Sequence, residues 1–269
     1  MKVSVIIPTY KPQAYIWECL DSIKNQTFSK EDFEVILVLN GCNEPYYSQI
    51  KEYIDNNLVD YNVNFIQTDQ GGVSNARNIA LNAAKGEYIT FIDDDDYVSS
   101  SFIEELYNVA SPDIVSISNT IAFYDGDMKN TYTFTLSKEF EKKHLNGIQH
   151  ISRGRRFFAG PCMKLIHKSI IRDKRFDIRF KNGEDSIYMF LISDKIKSIR
   201  FTSANAIYYR RYRENSAVTQ KRTVSQRVVN AMNMIWEYIK IYTKDPSSYS
   251  FGFFVTRILG TIKSIFCTA

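Results

Sequence analysis

Short runs of almost unbroken apolar residues, spaced by helix-patterned segments, restrict this 269-residue chain more than any other feature. Residues 3–7 read Val-Ser-Val-Ile-Ile and residues 34–39 read Glu-Val-Ile-Leu-Val-Leu, without regular alternation of polar and apolar positions. Strands of that kind have both faces buried, as in a parallel sheet covered by helices on each side. Between the runs, Ile16, Cys19, Leu20 and Ile23 fall at i, i+3, i+4 and i+7, one face of a helix. Strand, helix, strand makes a right-handed βαβ unit, and ligands of such sheets gather beyond the strands' carboxyl ends. That rim holds Pro8, Thr9 and Tyr10 after the first run and Asn40-Gly41 after the second.

The pattern continues with a helix over 48–56, a short strand over 63–66, and a glycine-bearing loop, 69–73, feeding a helix from an expected N-cap at Ser74 to Lys85, closed by Gly86. Arg77 falls in that helix's first turn, where the helix dipole disfavours a cation. It is either a surface arginine or the partner of an anion docked at the helix start. A fourth strand, 88–92, runs directly into Asp93, Asp94, Asp95 and Asp96. Four adjacent carboxylates repel one another, so this is either a solvated acidic turn or a site that gathers a cation or a hydrogen-bonded ligand.

Further on, the sequence predicts a helix over 101–110, a strand over 113–118 and a hairpin around Asp125-Gly126-Asp127 with arms 122–124 and 132–136, which adds an antiparallel portion. Residues 137–156 are polar and basic and read as a mobile loop ending in Arg153-Gly154-Arg155-Arg156, a solvated charge run unless it recognises an anionic acceptor. Gly183-Glu184-Asp185 opens a helix with Ile187, Phe190 and Leu191 inward. Its two carboxylates suit the dipole at a helix start, so capping alone accounts for them as readily as chemistry does. Strands over 198–201 and 204–209 end in Arg210-Arg211-Tyr212-Arg213. A long helix over 224–242 carries Val228, Met232, Ile235, Trp236 and Ile239 along one side, and the tail, 251–266, repeats phenylalanine, isoleucine and leucine at helical spacing. That tail can lie on an anionic membrane or cover its own domain's core.

A net charge of +4 suits a protein that meets anionic ligands without being a dedicated nucleic-acid binder. Cys19, Cys42, Cys162 and Cys267 have no close metal-type spacing, so a reduced, cytoplasmic setting is expected and no zinc site. The sequence opens directly on a strand pattern, so no signal peptide is expected, and no run reaches the roughly 18 apolar residues that cross a bilayer.

Taken together, Ser4-Val5-Ile6-Ile7-Pro8-Thr9-Tyr10, Asp21-Ser22-Ile23 with Gln26-Thr27-Phe28, Gly72-Val73-Ser74 with Ala76-Arg77-Asn78, Gly86-Glu87-Tyr88-Ile89, the four aspartates and Gly183-Glu184-Asp185 resemble the family 2 glycosyltransferases, in that order and spacing. The resemblance implies a GT-A fold: an α/β architecture with a mixed, mostly parallel sheet flanked by helices. The glycosyltransferase domain would cover residues 1–216, with a nucleotide-sugar half over 1–97 and an acceptor half over 98–216, followed by a C-terminal helical extension over 217–269. It further implies an inverting, metal-dependent enzyme of bacterial cell-surface polysaccharide synthesis, passing one sugar from a nucleotide-sugar, expected to be a UDP-sugar, to a saccharide or lipid-linked acceptor.

By matching motif to motif, Asp95 is the implied metal ligand for Mn²⁺ or Mg²⁺, Asp93 and Asp94 lie by the ribose, and Arg77 lies near the nucleotide phosphates. Pro8, Thr9 and Tyr10 line base and ribose, Asp185 is the catalytic base with Glu184 beside it, and Lys164 and Arg211 lie near the acceptor or the diphosphate. Where many members end the second strand in two acidic residues, this chain has Leu39-Asn40-Gly41; the Asn40 amide can accept from a uracil ring N–H and also donate. The implied partners exclude nucleic acid and include peripheral contact of the tail helix with the inner face of the membrane. Against this stand two other functions for the same residues: a Mg²⁺-binding phosphoacceptor regulatory module, for which the chain is about twice too long, and a non-catalytic sugar-nucleotide or polyanion binder.

Overall fold

The computed structural model describes residues 1–132, 134–213 and 223–266. The first half is β1 (Val3–Thr9), α1 (Tyr15–Lys24), β2 (Phe33–Asn40), α2 (Tyr46–Asn57), β3 (Asn62–Thr68), α3 (Val73–Ala83) and β4 (Tyr88–Phe91). These strands run parallel in the order β3-β2-β1-β4, with Val3 opposite both Phe33 and Tyr88. Every residue of β1 and of β2 is buried, as the unbroken apolar runs require of strands covered on both faces. The order reverses at β1, because β2 and β3 step to one side of it and β4 to the other. The crevice at such a switch point is where parallel sheets place their ligands, and it lies beyond Thr9 and in front of the aspartates.

The second half supplies β5 (Tyr97–Val98), α4 (Phe102–Asn108), β6 (Ile114–Ile117), β7 (Asn119–Tyr124), β8 (Asp127–Tyr132), α5 (Thr135–Glu141), β9 (Ile148–His150), β10 (Lys164–His167), α6 (Lys168–Ile171), α7 (Glu184–Leu191), β11 (Ser198–Phe201) and β12 (Ile207–Tyr212). β10 inserts antiparallel between β4 and β6, so both halves share one eight-stranded sheet among the described residues. A second sheet, β5-β12-β7-β8, stands beside it and carries β12 towards the aspartates. The expected end of the domain at 216 lies outside the described residues.

Several local expectations change. α3 begins at Val73 with Gly72 as its cap, and Ser74 is buried without a capping bond. Gly86 does not close that helix, which ends in extended backbone at Ala84. Its lack of a side chain instead lets β1 approach: a Cβ there would lie 2.5 Å from the Ser4 amide nitrogen. The hairpin arms are β7 and β8, shifted towards the N-terminus of the expected ones. The last strand is β12, three residues later than expected. The basic stretch 137–156 is not a mobile loop; it holds α5, β9 and the start of a 3-10 segment, Ile151–Ala159, because Phe140, Ile151, Phe157 and Phe158 anchor it in the core.

Two helices complete the described structure, α8 (Val224–Lys244) and α9 (Phe251–Phe266). α8 turns Ala231, Met234, Tyr238 and Ile241 inward, whereas Met232 and Trp236 of the expected stripe are exposed. The neighbouring stripe prevails because the Tyr238 hydroxyl donates to Ser186 Oγ at 2.8 Å and its ring meets Phe190 edge-on. α9 covers the domain's core: Phe253 is 1% exposed between Phe158 and Phe190, and Arg257 donates to Ser186 Oγ and to the Arg155 carbonyl. Its other side leaves Phe251, Leu259, Ile262 and Phe266 exposed. Phe253→Ala should cost about 3–5 kcal/mol, the usual loss for an aromatic cavity in a packed core; urea unfolding measures it, and a loss below 1 kcal/mol would mean α9 is not part of the folded unit.

β10 opens with a fully buried lysine, Lys164, whose Nζ donates to the carbonyls of Gly160 at 2.7 Å and Cys162 at 2.8 Å. Burial pushes its pKa down to about 7. Between about pH 7 and 10.5 the unfolded chain therefore keeps a proton that the folded chain has released, and this group adds stability as pH rises. The unfolding free energy of wild type minus that of Lys164→Met should accordingly increase from pH 7 to pH 10; a constant difference would mean the amine titrates as in water.

Candidate active site

At the switch point the strand ends are tied together before any ligand is considered. Asn40, buried at the end of β2, donates through Nδ2 to the Thr9 carbonyl at 2.7 Å and accepts through Oδ1 from the Gly72 amide at 2.8 Å. It therefore clamps β1 to the loop that starts α3, and its amide faces backbone. Next to it Gly41, at φ 66°, packs so closely that a Cβ would lie 2.7 Å from Gly71 Cα. Pro8 and Thr9 are buried, and the Thr9 hydroxyl donates to Asp94 Oδ2. Of the strand-end residues Tyr10 alone is open to a ligand, at 53% exposure.

The four aspartates divide into distinct environments. Asp96 is buried and accepts from the Tyr208 hydroxyl at 2.7 Å and the Arg211 amide at 2.7 Å, so it locks β12 against the end of β4. Asp94 is held by Thr9, and burial, with the charges of Asp95 and Asp93 beside it, pushes its carboxyl up to about 7. Asp95 pairs with Arg213, whose Nε and Nη2 donate to Oδ2 at 2.9 and 2.6 Å. Asp93, with 38% side-chain exposure, accepts from Arg77 Nη2 at 2.8 Å.

Arg77 reaches across the crevice. Its side chain, 3% exposed, also donates through Nη1 to Asp185 Oδ1 at 2.5 Å, joining the end of β4 to the first turn of α7. Burial opposes its charge, and the two carboxylates hold it protonated. Neither surface display nor an unengaged anion site describes it: both ends of the fork are occupied by carboxylates. Asp185 keeps 30% of its side-chain exposure, and a Cβ on Gly160 would lie 3.7 Å from its Oδ2. Burial and the nearby Asp93 charge raise its pKa, while Arg77 and Lys164 pull the other way. Glu184, buried beside it, is pushed up to about 7 by burial and by Asp185.

Lys164 and Arg211 stand behind the site. Lys164 fastens the Gly160–Cys162 turn next to Asp185. Arg211, 5% exposed, spends its guanidinium on Glu18 at 2.6 Å, Asp125 at 2.7 Å and the Asp95 carbonyl at 2.8 Å. Arg213 and Tyr208 are the residues that sequence reasoning passed over. For Arg213 a partial signal existed: it closes the basic run 210–213, two positions after Arg211, which was expected near the acceptor or the diphosphate, and positions two apart share a face where the strand runs on, as β12 does to Tyr212. For Tyr208 there was none, because its partner Asp96 is 112 residues away.

Of the six carboxyl groups Asp93 to Asp96, Glu184 and Asp185, three pair directly with an arginine side chain, Asp93 and Asp185 with Arg77 and Asp95 with Arg213. Burial first, and the neighbouring carboxylates second, shift Asp94, Asp95 and Glu184 upward. Hard oxygen donors short of a counter-charge fit Mg²⁺ or Mn²⁺, which one or two carboxylates commonly hold together with a ligand's phosphate oxygens. Among the described residues no three acidic, histidine or cysteine side chains are grouped to hold a metal by themselves.

Known proteins share this fold. The chain is 22% identical to Staphylococcus aureus TarS 1-349, solved in complex with UDP, with a TM-score of 0.71 over 100% of this chain and 73% of that one. A mannosyltransferase from Pyrobaculum calidifontis, solved with GDP-Man and Mn²⁺, superposes with a TM-score of 0.63 at 17% identity, covering 98% of this chain and 69% of that one. At those identities the likeness carries the fold, which is GT-A. In sequence, the chain is 29% identical over 246 residues to a poly(ribitol-phosphate) beta-glucosyltransferase of Bacillus spizizenii, 89% of this chain and 37% of that protein. It spans between a quarter and two fifths of the length of the first curated relatives it matches. The family described as glycosyl transferase family 2 matches residues 4–174, a stretch that takes in the strand ends, Arg77, the four aspartates and the Lys164 turn. By that match, and with the fold that goes with it, the chain belongs to glycosyl transferase family 2.

Proposed function

We propose that the chain is an inverting, metal-dependent glycosyltransferase that moves one sugar from a nucleotide-sugar, with a UDP-sugar as the first candidate, to a saccharide, polyol-phosphate or lipid-linked acceptor in cell-surface polysaccharide synthesis at the cytoplasmic side. The observation that carries this reading is the Arg77 bridge: it sets the aspartates after β4 and Asp185 on opposite sides of one guanidinium, 2.8 and 2.5 Å away. A donor and an acceptor can then meet between them. The relatives support the class of reaction, since one is named for glucosyl transfer to poly(ribitol phosphate) and one solved neighbour holds UDP.

In this reading Tyr10 flanks the nucleoside and Asp93 and Asp94 face the ribose, the latter oriented by Thr9. Asp95, with Asp93 near it, would hold the divalent cation, which when bound supplies Lewis-acid stabilisation of the diphosphate leaving group. Arg77 holds Asp185 through Oδ1, so Oδ2 is the oxygen left to accept a proton from the acceptor hydroxyl. As that proton moves to Asp185, the acceptor oxygen bonds to the anomeric carbon from the face opposite the diphosphate. The bond to the β-phosphate oxygen breaks with its electron pair leaving on the nucleoside diphosphate, and the configuration inverts. The raised pKa of Asp185 favours this role, because a more basic carboxylate accepts a proton more readily.

No helix among the described residues is long and apolar enough to cross a membrane. The outer side of α9, with Phe251, Leu259, Ile262 and Phe266 exposed beside Lys263, suits instead a helix that lies on an anionic surface. Leu259→Ser with Ile262→Ser should reduce co-flotation with phosphatidylglycerol vesicles several-fold and leave the unfolding midpoint in place; equal flotation would remove the membrane role. For the chemistry, Asp185→Asn should lower transfer by about 10²–10⁴-fold. UDP affinity in the presence of Mn²⁺, measured calorimetrically, should stay within about threefold, since the remaining interactions with the nucleotide are retained. Full transfer by that variant would remove Asp185 as the base, and donor turnover by wild type without acceptor would separate an enzyme from a mere binder.

A further inference from the structure

Beside α5 and the 3-10 segment Ile151–Ala159 lies a cleft of about 590 Å³ that takes no part in the site described above. Five cationic residues line it, Lys142, Lys143, Arg153, Arg155 and Arg156, with Glu139 as the carboxylate among them. Glu139 accepts from Lys143 at 2.6 Å and from Arg156 at 2.7 Å, and this pairing builds one wall. Glu139 also feels the charge of Lys142, so one carboxylate faces three of these cations, and Arg153 and Arg155 make no ion pair with a carboxylate among the described residues. Holding five cations around one concavity with a single carboxylate costs Coulomb energy unless an anion shares it.

The cleft is physically joined to the candidate base. The Arg155 carbonyl accepts from Arg257, whose other nitrogen donates at 2.9 Å to Ser186, the residue after Asp185. The same chain segment continues from Arg155 to Gly160, beside Asp185 Oδ2. The segment kinks at Phe158 and is extended at Gly160, and five residues reach at most about 18 Å even when fully extended, a span of a few repeats of a linear polymer. A linear polymer can therefore rest its anionic groups in the cleft while one of its hydroxyls reaches Asp185. A concave wall of cations matches a chain better than the plane of a bilayer.

We propose that this cleft binds a linear phosphate-bearing polymer, the acceptor, through the repeats next to the unit that receives the sugar; the acceptor role rests on the transferase reading above. Each phosphate that meets a lysine or arginine releases condensed counterions, so binding weakens linearly in the logarithm of salt concentration.

The test uses the full chain and fluorescently labelled linear inorganic polyphosphate as the probe, titrated by anisotropy over a series of KCl concentrations. Lys142→Gln with Arg153→Gln and Arg155→Gln should weaken binding by about tenfold or more at low salt and reduce the salt slope by about 2, while UDP affinity with Mn²⁺ is unchanged. Arg153→Gln alone should give an intermediate loss with an unaltered unfolding midpoint, so that misfolding of the triple variant cannot be mistaken for loss of the site. Equal affinity and slope in wild type and variants would overturn the proposal. So would orthophosphate binding as tightly as the polymer, or a variant that keeps polyphosphate and loses only anionic vesicles, which would assign the cleft to a membrane. If neither protein bound UDP while polyphosphate behaved as expected, the acceptor role would fall and a polyanion site would remain.

Discussion

The buried fork of Arg77 is the interaction on which the rest of the site depends. A guanidinium taken out of water is tolerated only where carboxylates meet it with good geometry, and here two do so from segments 92 residues apart, counted from Asp93 to Asp185. One comes from the end of a parallel strand, the other from the first turn of α7. Their positions are therefore coupled: whatever moves Asp185 also disturbs the charge balance of the aspartates after β4. The guanidinium carbon lies over the Phe176 ring, 5.3 Å from its centroid.

Around this link the carboxylates separate into those fixed in the fold and those that stay partly open. Asp96 receives a hydroxyl and an amide from β12, and Arg211 is consumed by Glu18, Asp125 and a carbonyl, so these residues rivet the second sheet to the first. Asp93, Asp95 and Asp185 retain part of their exposure, and their arginine partners bind through charge-assisted contacts that a cation or a phosphate can rearrange. Asn40 shows the same division: at the position where an acidic residue often reaches a base, the amide closes a backbone gap between β1 and α3. The C-terminal helix belongs to this architecture too, because Arg257 touches both Ser186 and the basic cleft.

Periodicity and order along the chain carried the central architecture. The unbroken apolar runs announced β1 and β2, the i, i+3, i+4, i+7 spacing announced α1, and the motif order pointed to a family that the match over residues 4–174 then established. These are local or sequential properties, set by a residue's neighbours within a turn or two. What failed was what depends on a distant partner: Ser74 lost its capping role to Gly72, α8 turned a neighbouring stripe inward to meet Ser186 and Phe190, and the basic stretch was ordered by phenylalanines that its charge had masked.

By itself the sequence determined that a parallel sheet would bring Thr9, Asn40, Arg77 and the four aspartates to one rim, because strand direction and βαβ handedness leave no other place for them. Only the tertiary structure decided what each of them does there. Arg77 meets Asp185 across 108 residues, Asp95 meets Arg213 across 118, and Arg257 reaches Ser186 in α7 from 71 residues further along the chain. Such pairings are selected by which charges burial forces together, a quantity that no local pattern in the sequence encodes.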